Sequence, residues 1–234
     1  MSDRTANQAR GREVSARVIG PSEVVVWVIR LNTPDKTRRR QLARQAQSTL
    51  LAAYLNTGPQ SLTVERSDLG KPRLGGEHAW LRFNLSHSGS VALLALACDR
   101  EVGVDVQEPH RAAMQPWFAQ RICTQRERAL LGGTPSPAEL LRLWTRKEAV
   151  IKARGDLSYV SAGEIDVSGP VAQGGWQLFD LSVPGAPLYH GAVAAGTGPA
   201  DGQPQPDGHA QPDSQLTPAG FSAPVTVEVC EFEP

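Results

Sequence analysis

Two ammonium groups and a carboxylate fall close together in Trp144-Thr-Arg-Lys147-Glu148-Ala-Val-Ile-Lys152. On a helix, Glu148 and Lys152 are four apart and stand on one face. A carboxylate there could take a proton from a hydroxyl, and the neighbouring ammonium could hold a developing anion. The same spacing also suits an exposed pair that stabilises a helix by about 0.3–0.5 kcal/mol. Lys147 falls inside the apolar arc of Leu140, Leu143, Trp144, Val150 and Ile151. An ammonium in that position needs a partner or a route to water.

A second carboxylate stands in Val102-Gly103-Val104-Asp105-Val106-Gln107. Strand alternation puts Asp105 on the face of Gly103 and Gln107, opposite the three valines. A carboxylate inside a strand calls for a cation or a donor, and Gly103 lets a backbone or a ligand approach closely. The alternative is an exposed aspartate on a solvent face. Upstream, Asn84-Leu-Ser86-His87-Ser88-Gly89 reads as a tight, donor-rich turn suited to a phosphate,. Lys71 sits in Gly70-Lys71-Pro72, on a constrained loop,. Lys36, Arg38, Arg39, Arg40 and Arg44 crowd the start of a helix. They oppose its dipole, so they serve either a phosphate or a solvated face.

The elements that must position these groups are legible at their ends. Ser136-Pro137-Ala138-Glu139 is a capping box with proline at the first helical position, and Gly155 is a stop,. These bracket the helix that carries Lys147, Glu148 and Lys152. Thr124-Gln-Arg-Glu127 opens a shorter helix to about Leu131,. Val24 to Ile29 reads as a buried strand, and a helix opens near Thr33-Pro34 and runs to Leu55,. Strands follow at Leu62–Glu65, Ala79–Leu85 and Val91–Ala97, with Glu101–Val106 expected as the hairpin partner of the last. Further strand-like runs are Ile165–Val167, Trp176–Val183 and Tyr189–Ala195. From about Gly196 to Ala223 the chain lacks large apolar side chains. That stretch is expected to be a disordered insertion between two paired strands, the second being Val225–Phe232.

The 234 residues suffice for one large domain or two small ones,. Net charge is zero, yet all 24 Lys and Arg lie at or before Arg154, against 14 acids there. A basic body with a neutral total suggests an anionic ligand and argues against a nucleic-acid coat. Cys98, Cys123 and Cys230 lack metal-ligand spacing and read as reduced thiols,. With no apolar leader in MSDRTANQAR and no membrane-length apolar run, a cytoplasmic protein is expected,. No phosphate loop, dinucleotide fingerprint, nucleophile elbow or zinc spacing occurs,.

Gly70-Lys71-Pro72, Phe83-Asn84-Leu85-Ser86-His87-Ser88-Gly89, Val102-Gly103-Val104-Asp105-Val106 and Trp144 through Lys152-Ala resemble, in order and spacing, the motifs of the 4′-phosphopantetheinyl transferases. More narrowly, they resemble the large single-chain, surfactin-type branch. The resemblance implies an α+β fold of two similar halves, here 1–103 and 104–234, related by a pseudo-twofold axis, with the active site between them. It implies transfer of phosphopantetheine from coenzyme A to a serine of an apo acyl or peptidyl carrier protein, with release of 3′,5′-ADP. Magnesium would be held by Asp105 and Glu148, with Gln107 where many relatives have a third acid. Glu148 would also be the base, Lys152 would hold the pyrophosphate, and Lys147 would be a cation at the cleft wall. Ser86, His87, Lys71 and Thr49 would contact phosphates of coenzyme A. Arg44 would substitute for an arginine that the family usually has at the position of Ser48. A monomer, with neither nucleic acid nor membrane as partner, completes the expectation. A metal-dependent nuclease, or a relative that only binds coenzyme A or a carrier protein, are the rival readings.

Overall fold

The computed structural model describes residues 18–109, 116–155, 162–197 and 225–234. Strand β1 (Glu23–Arg30) is followed by helix α1 (Lys36–Tyr54) and a small ribbon of β2 (Val64–Arg66) and β3 (Pro72–Leu74). The hairpin β4 (Leu81–Ser88) and β5 (Val91–Cys98) comes next, then β6 (Val102–Gln107). Three helices follow: α2 (Pro116–Ile122), α3 (Gln125–Leu131) and α4 (Pro137–Arg154). The chain continues with β7 (Val171–Ala172), β8 (Trp176–Leu181), β9 (His190–Ala195) and β10 (Thr226–Phe232). No helix among the described residues is long and apolar enough to cross a membrane.

Two four-stranded sheets result, ordered β10-β1-β5-β4 and β6-β9-β8-β7. Each is built from a strand, a long helix and a hairpin, and in each the first strand pairs antiparallel with the last strand of that hairpin. Mostly valines and alanines fill the space between the sheets, among them Val24, Val26, Ala95, Val104 and Val193, with Leu93. Helix α1 covers the outer face of the first sheet through Leu50 and Leu51. Helices α2 and α4 cover the outer face of the second, where Leu140 and Val150 meet Ala192 and Ala194. The molecule is thus a helix–sheet–sheet–helix stack, a mixed α+β fold.

Several expectations change. Strand β6 is not the hairpin partner of β5: both edges of β5 are already taken, by β1 and β4. The chain therefore crosses to open the second sheet, where β6 pairs with β9. The closing strand β10 does not pair with β9 either. It lies parallel to β1, with Val26 opposite Val229, so the C-terminal segment completes the N-terminal sheet. Residues 165–167 form no strand, although Ile165 and Val167 are buried. Most of the expected insertion lies outside the described residues.

Candidate active site

Helix α4 begins and ends where its sequence says. Ser136 and Glu139 close a reciprocal capping box, Pro137 takes the first turn, and Gly155 ends the helix in the left-handed region at φ 74°,. The apolar arc seats α4 against the second sheet. Gly103 sets how closely: a Cβ there would lie 2.1 Å from the Ala149 carbonyl oxygen and 2.3 Å from the Ala153 nitrogen. Since no side chain fits, the backbones of β6 and α4 come together. The next residue on that face of β6, Asp105, then meets Lys152 of the same turn of α4,.

At that junction Lys152 Nζ donates to Asp105 Oδ1. Ser86 Oγ donates to the same oxygen at 2.8 Å and accepts from Lys152 Nζ at 2.9 Å. Gln107 Nε2 donates to Asp105 Oδ2 at 2.9 Å, on the face that alternation assigned to it,. Asp105 is only 1% exposed, so this ring of donors is what sustains its charge,. Glu148 differs. Among the described residues it has neither hydrogen bond nor ion pair, and burial, then the charge of Asp105, push its carboxyl above the usual range, against Lys152,. Two carboxylates thus stand close enough to feel each other's charge, with the Lys152 ammonium bonded to one of them. Oxygen donors of this kind suit a hard divalent cation such as magnesium, which takes one or two carboxylates and fills its other positions with water and phosphate. The carboxyl of Glu148 and the amide oxygen of Gln107, neither with a hydrogen-bond partner among the described residues, fit that role. No set of three or more His, Cys, Asp or Glu side chains among the described residues is placed to hold a metal.

Lys152 and Gly155 also form one wall of a cavity of about 680 Å³. Arg40, Ala43, Arg44 and Gln47 of α1 supply another, on the i, i+3, i+4, i+7 face,. Phe83 and Leu85 of β4 give an apolar floor, with His87 on the same row, and Arg66 of β2 closes the side,. Burial lowers the His87 pKa, and the charges of Arg40, Lys152, Arg39 and Arg44 lower it further,. Cations gathered around an apolar floor, without a carboxylate among the described wall residues, describe a seat for an anion with a flat or apolar part,. Arg40 was named only within the basic cluster at the start of α1, and Arg66 was not singled out from sequence. The helical spacing of Arg40 from Arg44 would have found the first, whereas Arg66 requires knowing how β2 folds over α1.

The remaining expected site residues lie elsewhere. Asn84 to Ser88 is strand, not turn: β4 stays in register with β5 as far as Ser88 opposite Val91, and the turn is only Gly89-Ser90, with Gly89 at φ 52°. Ser86 and His87 therefore point to opposite sides, and Ser86 does not line the cavity,. Lys71 contributes its stem to the cavity. Its ammonium donates to Glu101, to the Val102 carbonyl at 3.1 Å and to the Ala153 carbonyl at 2.8 Å, which ties the β2–β3 ribbon to β6 and α4. Thr49 is exposed and off the cavity face, roughly 200° around α1 from Gln47 at 100° per residue,. Lys147 is fully buried and does not reach the cleft. Its Nζ donates to Glu127 Oε2 at 2.7 Å and to the Ile165 carbonyl. Glu127 in turn accepts from the Thr124 and Val167 backbone N–H groups, at 2.8 and 2.9 Å.

The sequence was compared with known proteins. Residues 101–191 match the model of the 4′-phosphopantetheinyl transferase superfamily. The chain is 34% identical over 128 residues to the 4′-phosphopantetheinyl transferase HetI of Nostoc sp., covering 53% of this chain and 54% of that protein. It is 36% identical over 131 residues to the 4′-phosphopantetheinyl transferase AcpT of Escherichia coli, covering 54% of this chain and 64% of that protein. A third relative is the L-aminoadipate-semialdehyde dehydrogenase-phosphopantetheinyl transferase of Xenopus laevis, 34% identical over 40% of this chain and 35% of its own length. The matches thus span between a third and two thirds of these relatives. The residues that match the 4′-phosphopantetheinyl transferase superfamily model, 101–191, carry Asp105, Glu148 and Lys152 on β6 and α4.

Proposed function

We propose that this chain transfers the 4′-phosphopantetheine group of coenzyme A to a serine hydroxyl of an apo carrier protein, releasing 3′,5′-ADP. The observation that carries the reading is the junction of β6 and α4. A buried aspartate, a half-buried glutamate without a hydrogen bond or ion pair among the described residues, and a lysine that lines a cation-rich cavity meet there, within the matched segment. In this reading Arg40, Arg44 and Arg66 hold the bisphosphate end of coenzyme A, with His87 on its 3′-phosphate and the adenine against Phe83 and Leu85. Lys152 lies between that cavity and Asp105, where its ammonium neutralises charge on the pyrophosphate and on the departing oxygen. Glu148, with its carboxyl raised and its oxygens free of donors among the described residues, takes the proton of the attacking serine,. Asp105 and Glu148, with the Gln107 amide oxygen, are the residues that would hold magnesium, which neutralises the pyrophosphate when bound.

The shared strand, helix and hairpin of the two sheets support the further proposal that they are pseudo-twofold related halves of a single-chain transferase, completed by β10. The test is direct. Incubation with coenzyme A, magnesium and a panel of fatty-acid, polyketide and peptidyl apo carrier proteins should add one phosphopantetheine to a carrier serine by mass. Absence of any gain across the panel overturns the reading.

A further inference from the structure

Strand β6 has a neighbour on each side. Toward the cavity it meets β4, where Asn84 and Ser86 bond to the Val104 N–H and to Asp105. Away from the cavity it pairs with β9, which sets Ala194 opposite Gly103, Ala192 opposite Asp105 and His190 opposite Gln107. Residues directly opposite in a ladder share a face, so these three side chains of β9 lie on the face that α4 covers. Ala192 and Ala194 are small, fully buried and packed against the helix. His190 ends that row as its one polar side chain, and it is partly exposed. The charges of Asp180 and of Arg142 on α4 reach it. Asp105 is its diagonal neighbour across the ladder, a separation of about 7–8 Å that a long side chain spans. None of the described wall residues of the cavity belongs to β8 or β9.

The reaction proposed above gives the two sides of β6 different tasks. The serine oxygen bonds to phosphorus as the bond to the 3′,5′-ADP oxygen breaks, and the serine proton passes to Glu148. Attacking and leaving oxygens of such a displacement lie roughly in line. With 3′,5′-ADP leaving into the cavity beyond β4, the hydroxyl arrives from the opposite side, over β9. We propose that His190 is a specificity residue on this acceptor side: its imidazole hydrogen-bonds the carrier segment that bears the attacking serine, and so helps select the acceptor. An imidazole offers both a donor and an acceptor, which suits a serine-bearing backbone. The inference rests on the transferase reading, because that reading decides which side the coenzyme takes.

The test uses His190→Ala and His190→Gln in the full chain, with the apo carrier that the wild type modifies fastest. His190→Ala should raise KM for the carrier by about 3–10-fold, the range of one lost hydrogen bond. KM for coenzyme A, the magnesium requirement and the melting temperature should stay as in the wild type. His190→Gln, which keeps a donor and an acceptor, should restore most of the carrier affinity. Proximity is read without turnover. With 3′,5′-ADP present, a short bismaleimide should join His190→Cys to a carrier whose serine is replaced by cysteine. The wild type, with only Cys98, Cys123 and Cys230, should give no such product. The proposal is overturned by an unchanged KM for the carrier, by an effect on coenzyme A or magnesium in its place, or by the absence of the crosslink. These results with an active wild type leave the reading of function standing. A wild type that transfers nothing to any carrier overturns that reading, and this proposal with it.

Discussion

Lys147 and Lys152 leave the same helix within two turns, and each meets a carboxylate, yet their surroundings differ in kind. The pair of Lys147 and Glu127 has no exposed side-chain surface, and its spare bonding capacity is used by backbone: the Ile165 carbonyl and the Thr124 and Val167 N–H groups. Nothing from outside can reach it. It fastens α4 to α3 and to the loop at 165–167, and burial lowers the Lys147 pKa against the pull of Glu127,. The pair of Lys152 and Asp105 is also hydrogen-bonded, but Lys152 keeps about a fifth of its side chain exposed and faces the cavity. Beside it Glu148 has no hydrogen bond or ion pair among the described residues. A closed pair holds the fold, while an open pair with an unbalanced neighbour is available to a ligand.

The largest effect should come from breaking the closed pair. Lys147→Met leaves Glu127 charged and buried, a change that typically costs about 3–5 kcal/mol. The double variant with Glu127→Gln should recover part of the loss, since the amide still bonds to backbone. Urea unfolding measures both. A loss below about 1 kcal/mol, the scale of an exposed pair, would mean that Lys147 escapes to water and that the two pairs are alike.

Next is the open side. Glu148→Gln should lower transfer by about a hundredfold or more, without lowering the melting temperature, because burial and Asp105 outweigh Lys152 in acting on the lost charge. Asp105→Asn should lower transfer as much and also cost stability, since Lys152 and Ser86 lose their charged acceptor. Turnover of Glu148→Gln within a few-fold of wild type would return Glu148 and Lys152 to an ordinary helix pair.

How much of this was legible depends on sequence distance. The ends of α4 are written in adjacent residues, Ser136, Pro137, Glu139 and Gly155, and are found where those residues put them. The anomaly of Lys147 was visible as a charge in an apolar arc. Its partner was not, because Glu127 lies on another helix and was already explained as half of a capping box. Alternation correctly placed Asp105 and Gln107 with Gly103, but no local rule says that the backbone approaching Gly103 is that of α4. Asn84-Leu-Ser86-His87-Ser88 looked like a turn because its polar residues are rare in strands. They are tolerated there because β4 is an edge whose alternate side chains bond to β6. The pairing of β10 with β1 joins the two ends of the chain, which composition does not encode.

The anion seat separates from both pairs by its response to pH. The free-protein pKa of His87 lies below its ordinary 6.5, first from burial and then from surrounding cations. A bound phosphate would raise it, so binding takes up a proton. Affinity for 3′,5′-ADP should therefore tighten as pH falls from the imidazole pKa of the complex to the lower one of the free protein, and level off below. The phosphate titrates in the same range, so the diagnostic is the difference between wild type and His87→Ala by calorimetry. Parallel pH profiles would remove His87 from the seat.

The smallest expected change tests what keeps the open pair open. Gln107 gives Asp105 a neutral donor on Oδ2, where a carboxylate would repel it. With Gln107 the site therefore has two acidic side chains, and a divalent cation would depend on phosphate oxygens for the rest of its shell. Magnesium should bind weakly to the protein alone and more tightly with coenzyme A present. Gln107→Glu removes the donor and adds a third charge beside Asp105 and Glu148. The metal-free protein should lose a little stability, about 1 kcal/mol as for a lost hydrogen bond and a like-charge neighbour, and magnesium should restore it. Affinity for magnesium without coenzyme should rise, and the gain on adding coenzyme A should shrink. Melting temperatures across a magnesium titration, with and without coenzyme A, read all three effects. An unchanged response in the variant would mean that a cation does not sit on this side of Asp105, and that the amide of Gln107 only braces the aspartate.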